Sequence, residues 1–294
     1  MYSQIDSNKR KTVLLIIIFI ALILILGLVF GQLYDYGYFG LVIAAVISTA
    51  MSLFGYYSGD SVALWSAGAT PIKKTDNPYV YRMVENLCIT AGLPAPKVYV
   101  INDPAINAFA TGRDPQHATI AITTGAIQKL ENEELEGVIA HELSHIKNYD
   151  IRLMTIIIVL IGIISILADF FWRSNMFGRR SNDRDSNGNG VLMIIGLILL
   201  ILSPIISELI KLAISRKREY LADASGSLLT RYPEGLARAL EKIKNENLPT
   251  KKAGSATAHL YIANPFGSGK KSLTNAFSTH PPIDDRIAKL RSMA

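Results

Sequence analysis

Cysteine is almost missing from this chain. Among 294 residues only Cys88 carries a thiol, so no intrachain disulfide can staple the fold. Cys88 lies in "MVENLCITAGL" at helical spacing with Met83 and Leu87, the setting of a core side chain rather than of a thiol nucleophile. Charge is thin as well: 18% of residues are charged and the net charge is +6. Lysines and arginines gather beside apolar stretches, at Lys9–Lys11 and Arg216–Arg218. That placement suits anionic lipid headgroups better than nucleic acid, and no nucleic-acid partner is expected. Histidine is scarce too, with five in the whole chain, so any regular spacing between two of them is informative.

What is abundant is apolar surface. Half of the residues are hydrophobic and the mean hydropathy is +0.27, and the apolar residues come in blocks. Thr12–Phe30, Gly37–Phe54, Ile151–Trp172 and Gly190–Ile214 each approach or exceed the roughly 20 apolar residues that cross a bilayer as a helix. The first, "TVLLIIIFIALILILGLVF", holds no charge. The second, "GYFGLVIAAVISTAMSLF", is rich in small residues, as are membrane helices that pack on other helices. Buried core helices of a soluble enzyme are the alternative, and four such lengths in one chain argue against it. The first block has a basic front but outruns a signal-peptide core and lacks a small-residue cleavage site, so it is read as an uncleaved anchor.

Three basic residues precede the first block and none stands in the turn after it, which puts the N-terminus in the cytoplasm by the positive-inside rule. Four spans then arrange the chain as a membrane hairpin over 1–56, a first polar part over 57–150, a second hairpin over 151–214 and a second polar part over 215–294, both polar parts being cytoplasmic. The loop "RSNMFGRRSNDRDSNGNG" carries four arginines and opposes this orientation.

The second apolar hairpin is entered through "VIAHELSHIKNYD". HELSH has the form H-E-x-x-H. On a helix, residues four apart share a face, so His141 and His145 can reach one metal. Glu142 is about 100° round the helix, badly placed as a ligand and well placed to take a proton from an attacking water. Two surface histidines at chance spacing are the bland alternative. A catalytic zinc site needs a third protein ligand. "SRKREYLADASGSLL" offers Glu219 and Asp223 four apart, with small Ala222, Ala224 and Gly226 to let another helix approach. Glu219 is assigned as the ligand, and Asp223 as acceptor from a ligating imidazole. Taken alone, these acids would read as a solvated face beside Arg216–Arg218. A membrane hairpin that returns to its starting side brings the two halves together at the cytoplasmic membrane surface.

"NAFATGRDPQHATIAITTGAIQKLENEELEGVIAHELSHIKNYD", "REYLADASG" and "STHPPIDDRIAKLRSMA" resemble the HtpX branch of the M48 metalloproteases. The resemblance extends over most of the chain and includes the placing of the apolar blocks. It implies an α+β, mainly helical fold with a small sheet, a gluzincin-type protease domain interleaved with two transmembrane hairpins, and one zinc per chain. It further implies a multi-pass plasma-membrane endopeptidase acting on unfolded or membrane polypeptides in quality control. "KVYVI" (97–101) and "ATIAITTGAI" (118–127) read as strands. Zincin-like enzymes present an edge strand to an extended substrate, and 118–123 is the candidate edge, with Ala118, Ile120 and Ile122 as substrate contacts. Asn107 matches the family position that touches substrate backbone. On its own it would be a turn-capping asparagine. The family pattern also puts a histidine and an arginine beside the metal, here His280 and Arg286, as donors to the oxyanion. Without the resemblance they would be a loop histidine and a surface charge.

Two other functions compete. A non-catalytic membrane adaptor on a dead protease scaffold is disfavoured, because His141, Glu142, His145 and Glu219 are all present. A prenyl-protein (CaaX) processing protease of the same clan encloses its site among more helices than this chain has, and cleavage of a lipidated peptide would discriminate it.

Overall fold

The structure is a computed structural model. It describes residues 2–33, 35–177, 216–253, 257–266 and 281–293. The fourth apolar block, the arginine-rich loop beyond Phe177 and His280 lie outside the described residues.

The first two apolar blocks form long helices, α1 (Tyr2–Leu33) and α2 (Phe39–Ala67). They are long and apolar enough to cross a membrane over Gln4–Val29 and Phe39–Ala67. They pack where side chains are smallest: a Cβ on Gly40 would sit 2.8 Å from the Gly31 Cα, so the two backbones touch only because both residues are glycine. The expected boundary at residue 56 falls inside α2, which continues unbroken to Ala67.

A small mixed sheet follows. It comprises β1 (Ala69–Pro71), β2 (Lys97–Ile101), β3 (Ala108–Gly112) and β4 (Ala118–Thr123) in the spatial order β1-β2-β4-β3. β2 and β4 are parallel, and the other two pairings are antiparallel. The crossover between β1 and β2 runs through α3 (Pro78–Ala91). Asn77 starts that helix by accepting the Val80 N–H at 3.1 Å, and Gly92 ends it in the left-handed conformation.

The sequence expectation for 118–127 needs correcting at its end. Thr124–Lys129 is a helix, α4. Thr123 stops the strand because its hydroxyl accepts the Ala126 N–H at 3.2 Å, an N-cap.

The HELSH segment lies on α5 (Asn132–Lys147), which opens with the Glu134 carboxylate accepting the Glu131 N–H at 2.8 Å. α5 does not run straight into the next apolar block. It ends at Asn148, Tyr149 takes φ +59°, and a new helix, α6 (Asp150–Phe177), starts at Asp150. Leu153 and Ile157 of α6 pack on Leu15 of α1. The C-terminal part supplies α7 (Arg216–Thr230), α8 (Pro233–Glu246) and α9 (Ile283–Arg291). The main core joins α3, α5, α8 and the sheet through residues such as Val84, Ile120, Leu135, Leu143 and Leu240.

Candidate metal centre

Helix periodicity sets the first two side chains. His141 and His145 project from one face of α5 with ring centroids 4.8 Å apart. α7 crosses that helix in close contact at Gly226: a Cβ there would stand 2.9 Å from the His141 backbone nitrogen. The close approach expected of the small residues in 222–226 is therefore made at Gly226, and it delivers Glu219 to the histidines.

The three potential ligand atoms converge. His141 Nε2 is 3.2 Å from His145 Nε2 and 3.8 Å from Glu219 Oε2, and His145 Nε2 is 3.6 Å from Glu219 Oε1. Ligands at 2.0–2.1 Å from a tetrahedral zinc stand about 3.3 Å apart, so the spacing fits one first-row ion. The electrostatics fit as well. His141 Nδ1 lies 3.0 Å from Asp223 Oδ1, and His145 Nδ1 lies 3.0 Å from Asp150 Oδ2. The Asp150 contact is a hydrogen bond and the Asp223 contact an ion-pair approach; a carboxylate beside Nδ1 favours the ring proton there and leaves Nε2 with its lone pair turned inward. Two imidazole nitrogens and a carboxylate facing one another in a buried space suit a cation. His145 shows the demand directly. Burial opposes its charge, yet the Asp150 hydrogen bond and the carboxylates of Glu219, Asp150 and Glu142 lift its pKa to about 9. A positive charge is favoured at this point, whether proton or metal.

Glu142 is 1% exposed, and its Oε1 has no hydrogen-bond partner among the described residues. Its carboxyl also receives the Ala110 N–H. Burial pushes its pKa up more than His141 and His145 pull it down, which makes it a stronger proton acceptor than an exposed glutamate.

Arg286 is 1% exposed and is committed elsewhere. Its Nε and Nη2 donate to Asp223 Oδ2 and Oδ1 at 2.9 and 2.6 Å, and Nη1 donates to the Ile262 carbonyl at 2.8 Å. Nη1 is also 3.9 Å from Glu219 Oε2. The guanidinium therefore grips the carboxylate that orients His141. Burial penalises the Asp223 charge, but Arg286 and the His141 contact outweigh it and hold that carboxyl well below the usual carboxylate range.

The substrate side differs from expectation. β4 is a central strand, hydrogen-bonded on both edges to β2 and β3. Its backbone at Ala118, Ile120 and Ile122 is already paired and cannot receive a substrate strand. The edge strand nearest the histidines is β3. On its outer side the Ala108 carbonyl accepts the Ile262 N–H at 3.0 Å, and Ala110 donates to Glu142. Asn107 immediately precedes β3. Its Nδ2 donates to the Ala263 carbonyl at 3.3 Å, and its Oδ1 accepts the Ala108 N–H at 3.1 Å. Asn107 thus holds the 261–263 segment beside the edge and caps its own strand.

Sequence reasoning passed over Asp150. A signal was available: an acid five residues after the second histidine, at the threshold of an uncharged apolar run, is in an expensive place. Asn8 and Arg218, which hold Asp150 from two other helices, gave no local signal.

The chain is similar to known proteins along its length. A family model described as "Peptidase family M48" matches residues 74–294, a span containing every residue of the cluster. A protease HtpX homolog of Dictyoglomus thermophilum is 45% identical over 99% of this chain and 94% of its own length. One from Streptococcus uberis is 43% identical over the full length of both chains. The crystal structure of Ste24p from S. mikatae shares the fold at 19% identity, with a TM-score of 0.54 over 99% of this chain and 67% of that one. With a buried His–His–Glu cluster inside the matched span and relatives of this identity along the whole chain, the protein is a metallopeptidase belonging to peptidase family M48.

Proposed function

We propose that this protein is a membrane-integrated zinc endopeptidase that cleaves misfolded or damaged membrane polypeptides at the cytoplasmic face of the cell membrane. The observation that carries the reading is the pair of inward-facing imidazole nitrogens 3.2 Å apart, opposed by Glu219 and flanked by buried Glu142. His141, His145 and Glu219 would hold the zinc. The ion would supply Lewis acidity, polarising the scissile carbonyl and making water nucleophilic at neutral pH. Glu142 accepts the proton of the attacking water and returns it to the leaving amine. Asp223 and Asp150 keep His141 and His145 in the ligating tautomer. Arg286 is a positioning residue, because its donors are spent on Asp223 and Ile262. His280 remains the proposed donor to the oxyanion.

An extended polypeptide that displaced the 261–263 segment from the outer edge of β3 would be bound through its backbone with little demand on sequence. That suits substrates recognised by loss of fold. Membrane integration is supported by the surfaces of α1 and α2. Only 22% and 17% of their most apolar windows are buried, unlike core helices of a soluble enzyme. Val13, Leu14, Ile17, Ile25 and Val46 are each more than half exposed, a surface that lipid would cover. The basic cluster Lys9–Lys11 supports a cytoplasmic N-terminus.

The test is casein cleavage by the detergent-purified protein. A strong chelator should abolish it and stoichiometric zinc should restore it. Unchanged cleavage by the metal-free protein would refute the proposal.

A further inference from the structure

The first membrane helix reaches into the metal centre. Asn8 belongs to α1, just before the basic cluster Lys9–Lys11, and is only 1% exposed, which is uncommon for an asparagine. Its Nδ2 donates to Asp150 Oδ1 at 2.7 Å and to the Asn148 carbonyl at 2.9 Å. Its Oδ1 lies 3.5 Å from Arg218 Nη1, and the same nitrogen reaches Asp150 Oδ1 at 3.3 Å. The other oxygen of Asp150 faces His145 Nδ1 at 3.0 Å. Asp150 is therefore a hub. One oxygen orients a metal ligand. The other is fixed by a residue 142 positions earlier in the chain and by the immediate neighbour of Glu219.

The geometry of this hub matters because Asp150 cannot be aimed by its own backbone alone. It stands at the first position of α6, just after the left-handed Tyr149 that turns α5 into α6. A corner of this kind sets the direction of the helix but leaves the carboxylate free to rotate. Two donors on Oδ1 remove that freedom. Loss of the Asn8 donors would let Oδ2 drift from Nδ1, and the His145 ring would lose its fixed tautomer and direction.

We infer that Asn8 is a positioning residue of the metal site, acting through Asp150 on His145, so that α1 is part of the catalytic unit as well as a membrane anchor. The inference rests on the zinc-site reading above.

The experiment measures metal affinity in the full-length, detergent-solubilised protein by competition with a chromophoric chelator. Melting temperature is recorded with and without zinc, and the visible spectrum after loading with Co2+. Asn8→Leu removes the amide while keeping the branched shape of the side chain. It should weaken zinc binding by about 10–100-fold, the usual effect of losing a partner of a ligating histidine. It should also shrink the zinc-induced rise in melting temperature and shift the Co2+ spectrum. Leu15→Ala is the control, since Leu15 lies on the same helix and packs on Leu153 and Ile157 of α6 without touching Asp150. It should lower melting with and without zinc by the same amount and leave affinity and spectrum unchanged. Should Asn8→Leu not fold, Asn8→Ser carries the same test. Wild-type affinity and spectrum in a folded Asn8 variant would overturn the inference, as would equal weakening by Leu15→Ala. A wild-type protein that binds no zinc would instead overturn the site reading on which the inference stands.

Discussion

Replacing Arg286 by alanine separates two roles for the same residue. In the structure its fork is bidentate on Asp223, whose side chain is 2% exposed, and its third donor is on the Ile262 carbonyl. Removing one partner of a buried, hydrogen-bonded ion pair costs about 3–5 kcal/mol, and the lost carbonyl contact adds about 1 kcal/mol. At about 2–4 °C per kcal/mol, the melting temperature should fall by on the order of 10 °C. Asp223 would then turn less firmly towards His141, and zinc affinity should drop by about 10–100-fold. Turnover per bound zinc should change little. The assay is metal content, melting temperature and casein cleavage on one preparation of Arg286→Ala. A donor to the oxyanion would behave oppositely, with full zinc, near-normal melting and kcat lower by about 10²–10³. That second pattern would refute the positioning role.

The other expectations concern His280, proton competition and topology. His280→Ala should lower kcat while zinc content and KM stay near wild type, because a contact made mainly in the transition state is lost; wild-type turnover would remove His280 from the site. In the metal-free protein the His145 pKa is lifted to about 9, and a metal must displace that proton. Apparent zinc affinity should therefore climb by up to about tenfold per pH unit from pH ~7 and level off above ~9; a flat profile would contradict the geometry. The sign for stability follows: a raised histidine pKa stabilises the metal-free fold below the ordinary value of 6.5, and that contribution is lost as pH rises through about 9. A thiol probe applied to intact cells should label Asn187→Cys and not Ser255→Cys. The native thiol will interfere little, since burial pushes Cys88 up to about 11; labelling of Ser255→Cys alone would reverse the orientation.

How much of this was legible in the sequence depended on the range of each interaction. His141, Glu142 and His145 stood out because a helix puts residues four apart on one face, a local rule that needs no partner. Glu219 and Asp223 followed from valence: two imidazoles need a third ligand, and a ligating imidazole needs an acceptor on its other nitrogen. Gly226 was legible as a small residue, though the atom it clears, the His141 backbone nitrogen, was not. The strand at 118–123 was visible from its β-branched residues. Its place in the sheet was not, because alternation reveals that a strand pairs without revealing how many neighbours it has. The chain lays β3 at the edge and returns to run β4 between β3 and β2, which puts β4 inside. Arg286 was expected beside the metal from the family resemblance alone, as a donor to the oxyanion; its partners come from 63 and 24 residues away and left no local signal. The Asn8–Asp150 contact is longer-ranged still, and it forms only because α1 docks beside the α5–α6 corner.

The central claim assigns His141, His145 and Glu219 to a metal and Glu142 to the proton. Its most direct test is zinc per chain and turnover measured together for Glu142→Gln and Glu219→Gln. Glu142→Gln should keep about one zinc and lose nearly all cleavage, since only the proton acceptor has gone. Glu219→Gln should lose zinc and cleavage in parallel. The contrary result, with Glu142→Gln losing the metal while Glu219→Gln retains it, would exchange the two assignments and contradict the site as built.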